Sequence, residues 1–353
     1  WILFRDQFTL KNVHLTDQSS LEERGFPRPN IWDEKGTSLF LQKMPADPSY
    51  SVVLNRQDDE FTVAFFRGED DITALSAKAL PSFAELRNSG RKWWKEYWTG
   101  IPTVKLDHAE LEEIYWHGLY KYGIMTNPAG VTPGLQGPWI EDDRLPPWSG
   151  DYHFNINVQL CNAPGLKAGR FENIKMLFEL VFSWRDILRR NAKYFAGVED
   201  GYMLPHAVDD RCTCMGSFWS GCVDHACAAW ISTMMFDYCD YSGDMAYLRD
   251  KVFDFMRGVM RVFQAMTENA QDGSLFLPVT ISPEYRNDDI NAWGRNSSFQ
   301  LAAVHNLAKN LLKSAAILGI EPDPFWRQVQ DKLPACSLSG EGYKEKIGLW
   351  DGL

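Results

Sequence analysis

The 353-residue chain contains no run of about 18 apolar residues, which excludes a predicted membrane-spanning helix. It also lacks an excess of positive charge. Lys and Arg number 36 against 47 Asp and Glu, a formal net charge of -11, so a nucleic-acid backbone or an anionic membrane surface is a poor partner. Neutral or cationic ligands suit it better. An initiator Met is missing, as is a basic start followed by an apolar stretch. The opening Trp1-Ile2-Leu3-Phe4-Arg5-Asp6 therefore reads as an internal or processed piece, with any secretion signal removed or outside it. No repeat has a period that would identify a solenoid. The seven cysteines (Cys161, Cys212, Cys214, Cys222, Cys227, Cys239, Cys336) are odd in number and cannot all pair within the chain. Most read as buried thiols.

Aromatic residues are abundant: 14 Trp, 13 Tyr and 21 Phe serve both a large helical core and surfaces on which sugars stack, with core packing taking the larger share. Residues 1–75 carry short apolar runs, such as Tyr50 to Leu54 and Glu60 to Phe66, separated by Asp, Gly, Pro and Asn. These predict strands with turns, the tail of a larger β domain. Residues 76–104 predict a linker helix and a Trp-rich stretch containing Trp93, Trp94 and Trp98. From 105 to 353 the pattern is helical. A helix capped by Asp107 runs to Met125 with Leu111, Ile114, Tyr115, Gly118, Leu119 and Tyr122 at three- and four-residue spacing. Further helices are predicted over 168–195, 217–240, 244–268, 297–318 and 323–333, with Gly and Pro clustered in the loops between them.

Those loops hold the chemistry. The stretch 146–159, Pro-Pro-Trp-Ser-Gly-Asp-Tyr-His-Phe-Asn-Ile-Asn-Val-Gln, gathers two amides, an imidazole and aromatic rings. On an extended segment Asn155 and Asn157 point to the same face and can hold one water or hydroxyl between them. A carboxyl is offered by Ile281-Ser282-Pro283-Glu284-Tyr285, where Ile281, Pro283 and Tyr285 predict a desolvated Glu284 that favours its acid form. His153 and Asp151 flank the Asn pair and can reach sugar hydroxyls. Trp139 and Trp148 bracket the charged run 141–144 and offer faces for a pyranose, and Tyr285 adjoins the candidate acid. Each of these residues also has a purely structural reading, as a polar loop or a core aromatic. Cys212, Cys214, Cys222 and Cys227 with His225 match no common zinc spacing. No metal and no cofactor are expected, and a disulfide from Cys212 or Cys214 stays open if the protein is exported.

The block Gly134-Leu135-Gln136-Gly137-Pro138-Trp139, then Pro147-Trp148, Asn155-Ile156-Asn157-Val158-Gln159, the Tyr241-Ser242-Gly243-Asp244 turn and Ser282-Pro283-Glu284, resembles the catalytic module of glycoside hydrolase family 95, the α-L-fucosidase family. The resemblance covers most of the chain. It implies a mainly α fold, an (α/α)6-toroid-type barrel, here partial, preceded by a small β-rich segment. It further implies an inverting, exo-acting hydrolase of terminal α-L-fucose or a related L-galactose-type sugar. In that pattern Glu284 is the general acid, Asn155 and Asn157 hold the attacking water, and an Asp further along than this chain reaches is the base. A six-hairpin barrel needs about twelve helices of ordinary length, and only about half that number is predicted, so the natural protein is expected to continue beyond Leu353.

Two departures stand out. After Gln159 the family continues Met-Asn-Tyr-Trp-Pro, whereas here Leu160-Cys161-Asn162-Ala163-Pro164 changes the wall beside the amides. Near the end, Ile347-Gly348-Leu349-Trp350 replaces a Leu-Gln-Glu-Trp, removing an acid. Rival readings are a carbohydrate-binding protein without catalysis, and a polysaccharide lyase or phosphorylase on a similar toroid. In every case the partner is an oligosaccharide or glycan, with no nucleic acid and no membrane. A glycan substrate implies an extracellular or periplasmic location.

Overall fold

The computed structural model describes residues 25–57, 60–137, 147–215, 219–286, 289, 291–339 and 346–351. Trp139 and the charged run 141–144 lie outside the described residues. By internal contacts the chain divides into two units, the first reaching Thr99 and the second starting at Gly100.

In the first unit, β1 (Asn30–Glu34), β2 (Thr37–Gln42), β3 (Tyr50–Gln57) and β4 (Glu60–Arg67) form an antiparallel meander in sequence order. The predicted runs at 50–54 and 60–66 are thus strands, paired from Tyr50↔Arg67 to Gln57↔Glu60. Leu39, Leu41 and Val53 are buried with Leu75 of α1 (Ile72–Ser76). Next comes α2 (Phe83–Trp98), begun by a capping box in which Ser82 and Glu85 satisfy each other's backbone N–H groups. This helix carries Trp93, Trp94 and Trp98 and belongs to the first unit. Trp93 stacks on Tyr97 and Trp94 on Trp98, each pair one helical turn apart.

The second unit is helical. After α3 (Ala109–Met125) come β5 (Tyr152–His153), α4 (Asn157–Asn162), α5 (Pro164–Lys167), α6 (Phe171–Ser183), α7 (Arg185–Ala196), β6 (Ala207–Val208), α8 (Trp219–Val223) and α9 (Ala226–Ser242). Then follow α10 (Met245–Tyr247), a π turn over Leu248–Val252, α11 (Phe253–Met266), the β7 (Glu268–Asn269) and β8 (Leu275–Phe276) pair, α12 (Ser298–Leu318) and α13 (Pro324–Lys332). A last short pair joins β9 (Leu338–Ser339) to β10 (Lys346–Ile347).

Helix α9 is buried on nearly every side, from Ala226 to Cys239, as expected of a helix at the centre of a core rather than on its surface. It packs on α6, α11 and α12, while α12 also packs on α11 and α13. One large cluster results, in which Phe178, Leu188, Met235, Phe255, Phe263, Leu301 and Leu311 are fully buried. Burying each such side chain is worth about 1.5–3 kcal/mol relative to leaving it in water. Helices paired in this way, with short strands and loops carrying the polar motifs, make the fold mainly α and of the (α/α)-toroid type.

Several predicted boundaries move. The helix expected over 168–195 is two helices, because the Ser183 hydroxyl donates to Leu180 O and Trp184 leaves helical geometry at φ -91, ψ 5. The helix expected from 217 becomes the short α8 and then α9, whose first N–H, that of Ala226, is taken by Asp224. Asp107 does not cap α3: the helix begins after His108 without a side-chain cap, and Leu111 and Ile114 are exposed while Leu119 and Tyr122 are buried. The Tyr241–Asp244 turn is a helix corner, with Asp244 accepting from Tyr247 N to start α10.

Candidate active site

The site is assembled on β5. Tyr152 pairs with Val208 and His153 with Ala207 of β6, and Phe154 N donates to His206 O at 2.5 Å, which locks the 151–157 segment against 206–208. Beside it, Leu135 N donates to Asp151 O at 2.8 Å. Gly134 comes so close that a Cβ there would lie 2.9 Å from the carbonyls of Gly150 and Asp151, so the seam admits no side chain at that position. Trp148 and Ser149 hold φ values of 51 and 58, a left-handed turn uncommon for residues with a Cβ. That turn leaves the Trp148 indole 65% exposed, edge-on to His153 with ring centres 6.4 Å apart.

The backbone of Asn155 and Asn157 is not extended, as their spacing suggested: residues 154–156 turn, and Asn157 is the first residue of α4. The two amides are brought together by that turn but take different tasks. Asn155 is buried and its Nδ2 donates to Glu284 Oε1 at 2.8 Å, across 129 residues of chain. Its Oδ1 is buried with no hydrogen-bond partner among the described residues, an acceptor that costs free energy until something donates to it. Asn157 lines a cavity of about 380 Å³ together with Leu135, Gln136, Pro147, Trp148, His153 and Glu284. Gln159, which follows the pair, donates to Phe154 O and braces the turn from beneath.

Glu284 arrives from the opposite side. Thr280 and Gly294 exchange backbone hydrogen bonds at 2.9 Å each way, and the loop carrying Glu284 hangs from this bridge. Gly294 lies beneath Trp350, whose ring would sit 2.4 Å from a Cβ placed there. Within the loop, Glu284 itself holds φ 62 and Arg286 φ 59. Such conformations cost of order 1–3 kcal/mol for a residue with a Cβ and cluster where function requires a side chain to be aimed. The predicted desolvation by its neighbours is not found. Ile281 turns into the core, the Tyr285 ring meets Trp350 at 5.1 Å, and Glu284 is exposed. Tyr285 is thus packed against the C-terminal segment rather than on the cavity wall.

Behind His153 lies a network that the sequence reading did not single out. His153 Nδ1 faces the Asp151 carboxylate at 3.1 and 3.3 Å, so Asp151 stands behind the imidazole, not on the cavity. His153 Nε2 is 3.0 Å from Nε2 of the fully buried His206, and His206 Nδ1 is 3.2 Å from Asp224 Oδ2. Asp224 also accepts from the Cys227 thiol at 3.3 Å and from Gln300 Nε2 at 3.4 Å.

Burial alone would raise the proton affinity of Asp224, but the His206 hydrogen bond and charge, with the bonds from Cys227 and Ala226, outweigh it and hold the carboxyl below its ordinary 3.8. His225, next along the chain, faces the core. Burial lowers its affinity below the usual 6.5 against the opposing Val223 carbonyl and Asp224 charge, which keeps it neutral. A faint signal for the network was present: Asp224 is a charged residue at the head of an Ala-rich apolar helix, where charge is rarely buried unless paired.

Among the described residues two sets could gather on an ion: His153, His206 and Glu284, with ligand atoms within 4.8 Å, and His206, Asp224 and Cys227. The second is already closed by its own hydrogen bonds, and burial with the Asp224 charge holds the Cys227 thiol protonated. The cysteines considered with His225 do not converge on a common point among the described residues.

Comparison with known proteins bears on the fold and the family. A solved structure, "Putative kojibiose phosphorylase from human microbiome", superposes with a TM-score of 0.61 over 88% of this chain and 49% of that one, at 12% identity, and shows the fold. "Probable alpha-fucosidase A" of Aspergillus niger is 27% identical over 177 residues, 49% of this chain and 22% of the relative. "Alpha-L-fucosidase 2" of Arabidopsis thaliana is 24% identical over 253 residues, 67% of this chain and 29% of the relative. The chain thus spans less than a third of the length of these curated relatives. The Glycosyl hydrolase family 95 catalytic domain profile matches residues 94–346, a stretch holding every cavity-lining side chain described above, and the chain belongs to that family.

Proposed function

We propose that this site hydrolyses a terminal α-L-fucose, or a related L-galactose-type sugar, from an oligosaccharide or glycan with inversion at the anomeric carbon. The observation that carries the reading is the 2.8 Å hydrogen bond from Asn155 Nδ2 to Glu284 Oε1, which joins the amide motif and the distant Ser-Pro-Glu motif at one cavity. That bond fixes the carboxyl and leaves the other oxygen to carry the proton. In the reaction that proton passes to the departing glycosidic oxygen as a water adds to the anomeric carbon from the other face, the water's own proton going to a carboxylate base other than the cavity-lining residues described. Asn157 and the unpartnered Asn155 Oδ1 are suited to hold that water, since amides orient without titrating. His153, held through both ring nitrogens by Asp151 and His206, shapes the cavity wall, and the exposed Trp148 indole offers an apolar face to the ring. The fucosidase names of the curated relatives support the sugar, and the family 95 catalytic-domain match supports the reaction class.

Release of free sugar from aryl α-L-fucosides, α-L-galactosides and fucosylated oligosaccharides, by the full chain and its Glu284→Gln variant, tests the proposal. Release abolished in the variant supports it, while release that survives the substitution refutes the assignment of the acid. One observation favours a second reading, a carbohydrate-binding protein: among the described residues Glu284 is the sole carboxylate on the cavity wall. Sugar binding by calorimetry without release of product selects that reading.

A further inference from the structure

The loop that follows β6 brings together two cysteines to which the proposed hydrolysis assigns no task. Cys214 Sγ and Cys222 Sγ lie 3.2 Å apart, inside ordinary sulfur–sulfur van der Waals contact, and both residues are half-buried and free. Their backbones are tied to the same short stretch of chain. Cys214 bridges Val208, Met215 N donates to Ala207 O at 3.1 Å, and His206 N donates to Gly221 O at 3.0 Å. The pair is therefore held together by main-chain hydrogen bonds on either side of β6, not by a chance meeting of two side chains. A disulfide needs the sulfurs to close from 3.2 Å to roughly 2.05 Å.

We propose that Cys214 and Cys222 form a disulfide, a modification site beside β6, made by exchange with a small-molecule disulfide such as oxidised glutathione. Cys222 is the attacking sulfur. The hydrogen bond with Cys214 holds its thiol below the ordinary 9.0 against the opposing effect of burial, which favours the thiolate there. Cys214 is correspondingly raised, chiefly by that same hydrogen bond and then by burial. Cys222 thiolate attacks one sulfur of the external disulfide and expels one thiolate, leaving a mixed disulfide. Capping Cys222 removes the cause that held the Cys214 proton. Cys214 then loses its proton to solvent, attacks Cys222 Sγ and expels the second thiolate. Two protein thiols are oxidised and one external disulfide is reduced to two thiols.

The product ties Cys214 to the helix that begins at Trp219, which restricts the unfolded chain and braces the main chain beside β6, to which both cysteine segments are hydrogen-bonded. Among the described residues Cys161, Cys212, Cys227, Cys239 and Cys336 make no such sulfur–sulfur contact, and burial pushes Cys212 and Cys239 each up to about 12.

Oxidised glutathione is added to the full chain at pH 8, followed by alkylation, intact mass and peptide mapping. The expected result is a loss of two hydrogens, a single cross-linked peptide pair containing Cys214 and Cys222, and a thermal midpoint raised by a few degrees that returns with dithiothreitol. The Cys214→Ser variant retains one glutathione on Cys222, because the resolving thiol is gone. Cys222→Ser takes up none at this loop. If both cysteines remain alkylatable after oxidation of the folded wild type, or if cross-links form between other cysteines instead, the proposal is overturned. The alkylation profile of wild type alone decides the case if either variant fails to fold.

Discussion

The two sides of the cavity are built on opposite principles. The wall from Asp151 to Asn157 is stitched to β6, backed by a buried His206–Asp224 pair, and supported by the fully packed head of α9. The facing loop is suspended from one two-way bridge, and its key residue, Glu284, is exposed and held at φ 62. Polar groups that orient a water or a hydroxyl must not move, and the wall spends buried charge to fix them. A group that surrenders a proton must reach the substrate and exchange with solvent, and the loop keeps it accessible. The single hydrogen bond from Asn155 to Glu284 joins the two sides.

The largest effect that would break this contrast falls on the loop. Glu284→Gln keeps the Asn155 contact possible and the cavity filled, so sugar binding by calorimetry should persist while kcat falls by roughly 10³-fold or more. On the wall the largest effect is on stability. Asp224→Ala strands His206 in the core and should cost about 3–5 kcal/mol, read as a loss of denaturation midpoint. Asn155→Ala acts on both sides at once, since it frees Glu284 and removes the water's acceptor. A decrease in kcat of about 10–100-fold with little change in stability is expected, and a pure change in KM would show that the contact is not used in the reaction.

Acid should weaken the wall before it harms the loop's scaffold. His225 titrates below its unfolded value of 6.5, so the unfolded chain takes up that proton first and stability begins to fall as pH drops through 6.5. Asp224 is held below 3.8, and its contribution is present above that pH and lost as pH falls further through its folded value. Urea denaturation between pH 8 and 3 should therefore show two successive declines, the first removed by His225→Gln. The smallest effect is expected from Trp148→Ala at the exposed rim, a rise in KM of less than about tenfold with kcat retained.

Much of this was legible in the sequence, for reasons that differ by residue. Strands β3 and β4 and helices α12 and α13 follow directly from period and capping: Ser297 caps α12 and Asp323, before Pro324, caps α13. The meeting of Asn155 with Glu284 joins two short motifs with no spacing rule between them, paired first on their chemistry and then by the resemblance. The Asn pair was placed on an extended segment, yet its amides sit in a turn because α4 starts at Asn157 and Gln159 braces the Phe154 carbonyl. The buried network escaped because His206, Asp224 and Gln300 are scattered through apolar stretches, and pairing over such distances leaves no local periodic trace. Desolvation of Glu284 was inferred from neighbours in sequence. A positive φ at Glu284 turns its side chain away from theirs, which sequence proximity does not report.

The most direct test of the account is the ratio of kcat for wild type over Glu284→Gln on two α-L-fucosides, one with a dinitrophenyl leaving group and one with an alkyl sugar leaving group. If Glu284 donates the proton to the departing oxygen, the ratio is small for the acidic phenol, which leaves without help, and larger by about 10²-fold or more for the sugar. Equal ratios for the two substrates would contradict the account, since the defect would then be independent of the proton that Glu284 is held in place to give.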